Sequence, residues 1–154
     1  MFELIRNILF VAGGIFIFYY FMSDMWQELA ERYKTEHSLP KTFLITDNQR
    51  ISFREENKSR GTAFTQLGIG LCDSGLYLSQ PNFFDPLSRF PALLIPWSDI
   101  AYRKVASNKS LNGYYTFYIG NPRIVRFSLN GDTINKLEQD YGESIFSNKL
   151  GEPE

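Results

Sequence analysis

The feature that most constrains this chain is a long uncharged segment close to its N-terminus. Residues 7–23 carry no charged side chain, and residues 8–22 (ILFVAGGIFIFYYFM) are apolar apart from two tyrosines. A helix of these 17 residues is roughly 26 Å long, close to the ~30 Å hydrocarbon thickness of a bilayer. A helix buried in a protein core normally shows a polar face, and this segment shows none. We therefore predict that residues 1–23 form a single transmembrane anchor.

The side chains that define the predicted anchor are bulky and apolar or aromatic. They are Ile8, Leu9, Phe10, Val11, Ile15, Phe16, Ile17, Phe18, Tyr19, Tyr20 and Phe21. A cleaved signal peptide is one alternative, but it requires small residues after the apolar run, where this chain has bulky ones. A buried core helix is the other alternative. Both stay open at this point, and the uncleaved anchor is favoured over either.

Basic residues near the two ends of the anchor are almost balanced. Arg6 precedes the uncharged segment of the anchor, whereas Arg32 and Lys34 follow the anchor. The positive-inside rule then favours a cytoplasmic N-terminus by a small margin, with a cytoplasmic soluble domain as the close alternative. We predict a single-pass membrane protein.

A short amphipathic helix is predicted directly after the anchor, over residues 24–38. Its apolar stripe follows the spacing i, i+3, i+4, i+7 and consists of Trp26, Leu29, Ala30 and Tyr33. Pro40 then ends the helical pattern. The simpler expectation is that the stripe docks on the folded domain, and the alternative is that it lies along the bilayer interface.

From residue 42 onward the helical period disappears, and apolar runs alternate with turn residues. This pattern predicts about seven short antiparallel strands. The clearest hairpin joins residues 63–72 to residues 76–78 across Asp73-Ser74-Gly75. In the last strand, Val125, Phe127 and Leu129 share one face, which we expect to be buried.

A second helix is predicted after the last strand. Asn130 offers an N-cap, Gly142 offers a C-cap, and apolar residues between them follow a helical spacing. The domain plan is therefore a mainly β domain with a terminal helix over residues 39–146, followed by a polar tail at residues 147–154.

Seven strands followed by one helix resemble the pleckstrin-homology superfold, including its GRAM-like and bacterial PH-like domains. The resemblance is strongest at residues 75–78 (GLYL) and 94–100 (LIPWSDI), and it covers roughly residues 26–141. The chain also resembles small bacterial proteins with one N-terminal anchor. The resemblance implies a partly open barrel of about seven antiparallel strands capped by a C-terminal helix, and a place in the bacterial inner membrane.

Composition argues against most catalytic and metal chemistry. The chain has one cysteine, Cys72, and one histidine, His37. A single cysteine excludes an intrachain disulfide and falls short of a cysteine-based zinc site. We interpret His37 as a linker residue at the surface and Cys72, beside Asp73, as a buried structural thiol. We predict no catalytic residue, no cofactor and no metal.

A glycine motif and an aspartate could each indicate a chemical site, but we interpret both as structural. Gly68, Gly70 and Gly75 suggest a phosphate loop, but a strand follows them where such a loop requires a helix. We expect these glycines to relieve crowding between strands. Asp99 is expected to cap a turn through a side-chain oxygen.

The balance of charge excludes a bulk attraction to nucleic acid. Sixteen Lys and Arg residues against 17 Asp and Glu leave a net charge of −1. Five cations nevertheless cluster in the two hairpins after residue 97: Arg103, Lys104, Lys109, Arg123 and Arg126. They can face anionic headgroups or a partner if they share a side, and otherwise they are ordinary charges on the wet face of a sheet.

The first functional hypothesis is a non-enzymatic, membrane-tethered PH-like domain that acts as a protein-interaction or scaffolding module. Its expected partners are the bilayer, through the N-terminal helix, and a membrane protein that the sequence does not identify. The alternative is a module that binds anionic lipid headgroups through the five cations. A small enzyme or a toxin-neutralising protein is the least favoured hypothesis.

Overall fold

A computed structural model describes residue 3 and residues 26–46, 51–55, 61–64, 67–80, 90–107 and 110–151. Of the predicted anchor over residues 1–23, the structure describes Glu3 alone, and all of the bulky side chains from Ile8 to Phe21 lie outside the described residues. Within the described ranges, no helix has both the length and the apolar character needed to cross a membrane.

The described residues form nine strands, which pair in antiparallel fashion. They are β1 (Thr42–Thr46), β2 (Ile51–Glu55), β3 (Gly61–Phe64), β4 (Leu67–Cys72), β5 (Gly75–Ser79), β6 (Leu93–Pro96), β7 (Ile100–Ser107), β8 (Ser110–Ile119) and β9 (Val125–Asn130). Residues 26–33 are helical and are named α1. The C-terminal helices are α2 (Gly131–Tyr141) and α3 (Ile145–Leu150), and a 3₁₀ turn (Trp97–Asp99) joins β6 to β7.

The strands make two sheets, with the orders β1-β4-β5-β6 and β3-β2-β9-β8-β7. The predicted hairpin between β4 and β5 is confirmed, and so is a mainly β domain with a C-terminal helix. The predicted single strand over residues 63–72 is instead two strands, because β3 belongs to the second sheet and β4 to the first. In the part of the chain that the structure describes, the two sheets do not close into a barrel.

One apolar core lies between the sheets and the helices. Its sheet residues are Leu67, Ile69, Leu71, Leu76, Leu78, Leu93, Ile95, Ile100, Tyr102, Phe117, Ile119, Val125, Phe127 and Leu129. The predicted alternation of β9 is confirmed, because Val125, Phe127 and Leu129 are buried while Arg126 and Ser128 are half-buried on the other face. Helix α2 covers this core by packing against β8, β1 and β9.

Helix α2 has the ends that its sequence predicts. The Asn130 side chain accepts a 2.9 Å hydrogen bond from the backbone N–H of Asp132, as an N-cap does. Gly142 closes the helix in the left-handed region, with φ +93°. Helix α3 then follows, so that residues 147–150 of the expected polar tail are helical.

Helix α1 docks on the β domain. Trp26 and Leu29 are fully buried, and the indole N–H of Trp26 donates a 2.9 Å hydrogen bond to the Pro91 carbonyl. The expected helix to residue 38 stops at residue 33, since Lys34 forms an antiparallel bridge with Leu93 at the edge of β6. The chain therefore exchanges helical hydrogen bonds for sheet hydrogen bonds at this point.

Candidate functional site

The strand register of the second sheet determines which face of the sheet carries each cation of the predicted cluster. Arg126 on β9 is opposite Tyr118 on β8, and Arg103 on β7 is opposite Thr116 on β8. Neighbours directly opposite each other in a ladder share a face. Tyr118 and Thr116 are two residues apart on β8 and therefore also share a face. Arg103 and Arg126 thus flank β8 on the outer face of the sheet.

Hydroxyl groups lie between these two arginines. Ser128 is opposite Thr116, and the two side-chain oxygens are 3.0 Å apart and hydrogen-bonded. The row Ser128–Thr116–Arg103 therefore runs across three strands beside the row of Arg126 and Tyr118. All of these side chains except the exposed Arg103 are half-buried.

Arg123 joins the same face from the turn between β8 and β9. Its guanidinium carbon lies 4.5 Å from the centre of the Tyr118 ring, within the range of a cation–π interaction. The turn is held in place because the Gly120 N–H donates a 2.8 Å hydrogen bond to the Asp99 carbonyl. We call this surface the arginine face; it consists of Arg103, Thr116, Tyr118, Arg123, Arg126 and Ser128.

The two lysines of the predicted cluster do not complete the arginine face. Lys104 lies on the opposite side of β7, where it is exposed beyond the end of the core. Its ammonium lies 5.4 Å from the centre of the Tyr115 ring, on the face that also carries Tyr102. Lys109 lies outside the described residues. The structure therefore brings together Arg103, Arg123 and Arg126 and separates Lys104 from them.

The corner between the sheets is built around Asp99. Its Oδ2 accepts a 3.0 Å hydrogen bond from the Tyr33 hydroxyl, and its Oδ1 accepts one of 3.1 Å from Ser98. The prediction that Asp99 caps a turn is therefore corrected, since its carboxylate binds hydroxyl groups. Burial, followed by the hydrogen bond to Asp99, raises the pKa of Tyr33 to about 12.

Cys72 has the surroundings of an unreactive thiol. It is half-buried at the end of β4, and burial followed by the nearby charge of Asp73 raises its pKa. A raised pKa reduces the thiolate fraction, which is the nucleophilic form. Its carbonyl accepts a 3.0 Å hydrogen bond from the Trp97 indole N–H. These contacts favour a structural role.

The other chemical motifs also have structural surroundings. His37 is exposed after α1. A Cβ at Gly68 or Gly70 would stand 2.4 Å from the Phe43 ring and 2.2 Å from the Pro40 ring, so these glycines do relieve crowding. Across the ranges that the structure covers, no group of three or more His, Cys, Asp or Glu residues is placed to hold a metal ion.

Sequence reasoning missed Thr116 and Tyr118 as members of the site. The alternation of the β8 sequence places them on one face, but only the ladder register sets them beside Arg103 and Arg126. A second signal was available in the sequence. Residues 100–130 contain five Lys or Arg residues and no Asp or Glu, although the whole chain has a net charge of −1.

Comparison of the chain with protein-family models, with curated proteins and with solved structures found no match.

Proposed function

We propose that this chain is a membrane-tethered, PH-like module that binds a protein partner beside the bilayer and performs no catalysis itself. Residues 1–23 are the proposed anchor. The observation that carries the proposal is the docking of α1, the helix that follows this anchor in the chain. Its first described residue, Trp26, is fully buried and hydrogen-bonded to Pro91.

The contacts of α1 hold this helix in one position on the β domain. Trp26 and Leu29 bury one stripe, Tyr33 reaches Asp99, and Lys34 bridges the edge of β6. A flexible linker would only raise the local concentration of the domain near the membrane. A docked helix also restricts the orientation in which the domain meets a second membrane protein, which is useful to a scaffold.

The order of the elements supports the PH-like part of the proposal. Strands β1 and β2 follow each other along one arm of a hairpin, and β3 and β4 follow each other along the other arm. If β1 and β2 are counted as one long strand, and β3 and β4 as another, the chain has these two strands followed by β5, β6, β7, β8 and β9. Seven strands then lead into α2, which is the order that the superfold implies.

The proposal is tested with the full-length chain in native membranes, by sedimentation and by chemical cross-linking. One variant lacks residues 1–23, and a second carries a flexible Gly/Ser linker between residues 25 and 26. We expect the full-length chain to sediment with membranes and to give discrete cross-linked adducts. The linker variant should still sediment but should lose those adducts, because its domain is no longer held in one orientation.

The two variants separate the parts of the proposal. The chain without residues 1–23 should leave the membrane fraction while its circular dichroism still shows a folded β domain. Unchanged sedimentation of that variant would overturn the anchor. Adducts that form equally well with the linker variant would overturn the oriented tether.

A further inference from the structure

We infer that the arginine face binds an acidic, extended segment of the partner protein. This inference rests on the proposed function, because it names the chemistry of that partner. The observation behind it is that three arginines lie on the same side of one sheet. Arg103 lies on β7, Arg126 lies on β9, and Arg123 lies in the turn between β8 and β9.

The region that carries the arginine face differs from the rest of the chain in having cations without carboxylates. Residues 100–130 carry five cations and no carboxylate side chain. The exposed carboxylates of the described residues lie elsewhere, near the N-terminus (Glu3), on and after α1 (Glu28, Glu31, Glu36), in the β4–β5 turn (Asp73), and on and after α2 (Asp132, Asp140, Glu143). An anionic ligand therefore meets cations without neighbouring exposed carboxylates on the arginine face, whereas the helices carry exposed charges of both signs.

The spacing of the arginines suits repeated negative charges. Arg103 and Arg126 are two strands apart and offset by two residues, because Arg126 pairs with Tyr118 and Arg103 pairs with Thr116. Their Cα positions are therefore about 12 Å apart, a distance that an extended segment covers in about three to four residues. Carboxylates that recur along such a segment can pair with both guanidinium groups.

The groups between the arginines suit a peptide better than a bare anion. Guanidinium groups bind carboxylates through two parallel hydrogen bonds, and they also stack on aromatic rings. Arg123 already lies over the ring of Tyr118. The hydroxyls of Thr116 and Ser128 lie in the adjacent row and can donate to or accept from the polar groups of a peptide.

The position of α1 favours a protein over the bilayer as the source of the negative charge. Tyr33 binds Asp99, and the Asp99 carbonyl accepts from Gly120 in the turn that carries Arg123. Tyr33 follows Trp26 by seven residues, so it lies about 10 Å further along the helix from the proposed anchor. In the proposed arrangement, in which α1 leads away from the bilayer, this turn lies away from the headgroups.

The test uses the full chain in neutral detergent micelles and a fluorescent peptide of alternating Glu and Thr, followed by fluorescence anisotropy. The same peptide with Gln in place of Glu is the ligand control. The double variant R103E/R126E reverses two charges of the arginine face. The matched control K136E/K149E reverses two exposed lysines on α2 and α3. Circular dichroism verifies that both variants are folded.

We expect the acidic peptide to bind the unaltered chain and to bind R103E/R126E about tenfold more weakly or worse, with K136E/K149E unchanged. Binding should weaken as salt is added, and the Gln peptide should not bind. Equal loss in both double variants, or equal binding of the two peptides, would overturn the inference. So would binding to phosphatidylglycerol vesicles that depends on Arg103 and Arg126 while the acidic peptide does not bind, since this identifies lipid headgroups as the ligand.

These outcomes are separate from those that test the proposed function. Failure of the peptide to bind, with adducts that still depend on the fixed tether, would remove the arginine face and keep the tethered module. Peptide binding by a full-length chain that does not sediment with membranes would keep the arginine face and remove the anchor.

Discussion

The hydroxyl of Tyr33 donates a 3.0 Å hydrogen bond to Oδ2 of Asp99. This bond joins the last turn of α1 to the corner between the two sheets. The two residues are 66 positions apart in the chain. Their contact is a polar link between the segment that follows the proposed anchor and the turn that precedes β7.

The substitution Tyr33→Phe should lower the free energy of unfolding by about 1–2 kcal/mol, because it removes a hydrogen bond to a charged acceptor and keeps the buried ring. Urea denaturation followed by circular dichroism measures this change. Tyr114→Phe is the matched control, since Tyr114 is half-buried on the outer face of β8. Equal unfolding midpoints for the two variants would show that the Tyr33–Asp99 contact contributes nothing.

The same contact makes stability depend on alkaline pH. Burial and the hydrogen bond to Asp99 raise the pKa of Tyr33 from 10.0 to about 12, so the folded state favours the neutral phenol. This contribution is complete below pH 10 and is lost as the pH rises toward 12. The urea midpoint of the unaltered chain should therefore fall more steeply across this range than that of Tyr33→Phe.

The pKa of a second tyrosine, Tyr141, is raised to the same value. Its hydrogen bond to Asp73, followed by burial, raises its pKa to about 12. Tyr141→Phe should flatten the same pH dependence, and the variant with both substitutions should be flatter than either one. Parallel curves for all four proteins would contradict the assignment of the pH effect to these tyrosines.

Alanine at Gly75 should destabilise the protein more than alanine at Gly68. A Cβ at Gly75 would stand 2.1 Å from the Ile95 carbonyl oxygen, which is backbone of the paired strand β6. A Cβ at Gly68 would meet the tip of the Phe43 ring and the Ser79 hydroxyl, and both side chains can rotate. Denaturation should show a loss of about 3 kcal/mol for Gly75→Ala and about 1 kcal/mol for Gly68→Ala. The reverse order would mean that β6 moves more easily than the Phe43 ring.

The substitution Trp97→Phe should lower the free energy of unfolding by about 1–3 kcal/mol, because it removes a hydrogen-bond donor and part of a buried ring. The Trp97 indole N–H donates to the Cys72 carbonyl at 3.0 Å, and its ring meets that of Phe146 edge to face, with centroids 5.8 Å apart. Phenylalanine keeps much of the ring contact and leaves the carbonyl without this donor. Thermal unfolding measures the loss, with Phe146→Leu as the comparison that removes the ring contact and keeps the donor.

The features that the sequence predicted well are those that neighbouring residues determine. The β4–β5 hairpin needs only Asp73-Ser74-Gly75 between two apolar runs, and the ends of α2 need only Asn130 and Gly142. Helix α3 was missed because it has six residues, and its two buried side chains, Ile145 and Phe146, are adjacent and show no helical period.

The candidate site depended on information that a single strand does not contain. Arg103 and Lys104 are adjacent, so they necessarily point to opposite faces, and a shift of one residue would exchange them. Only the pairing of β7 with β8 shows which of the two joins Arg126. The contact of Tyr33 with Asp99 is equally invisible in the sequence, because nothing local relates two residues so far apart.

The attachment of α1 has a mechanical consequence. A force applied to the chain ahead of Trp26 is resisted by four links. They are the hydrogen bond from Trp26 to Pro91, the buried apolar stripe of α1, the hydrogen bond from Tyr33 to Asp99 and the bridge between Lys34 and Leu93. These links are spread along α1 and β6, so a pull along the axis of α1 loads several of them at once. Tension in the proposed anchor would then reach the joint between the two sheets through Tyr33 and Asp99.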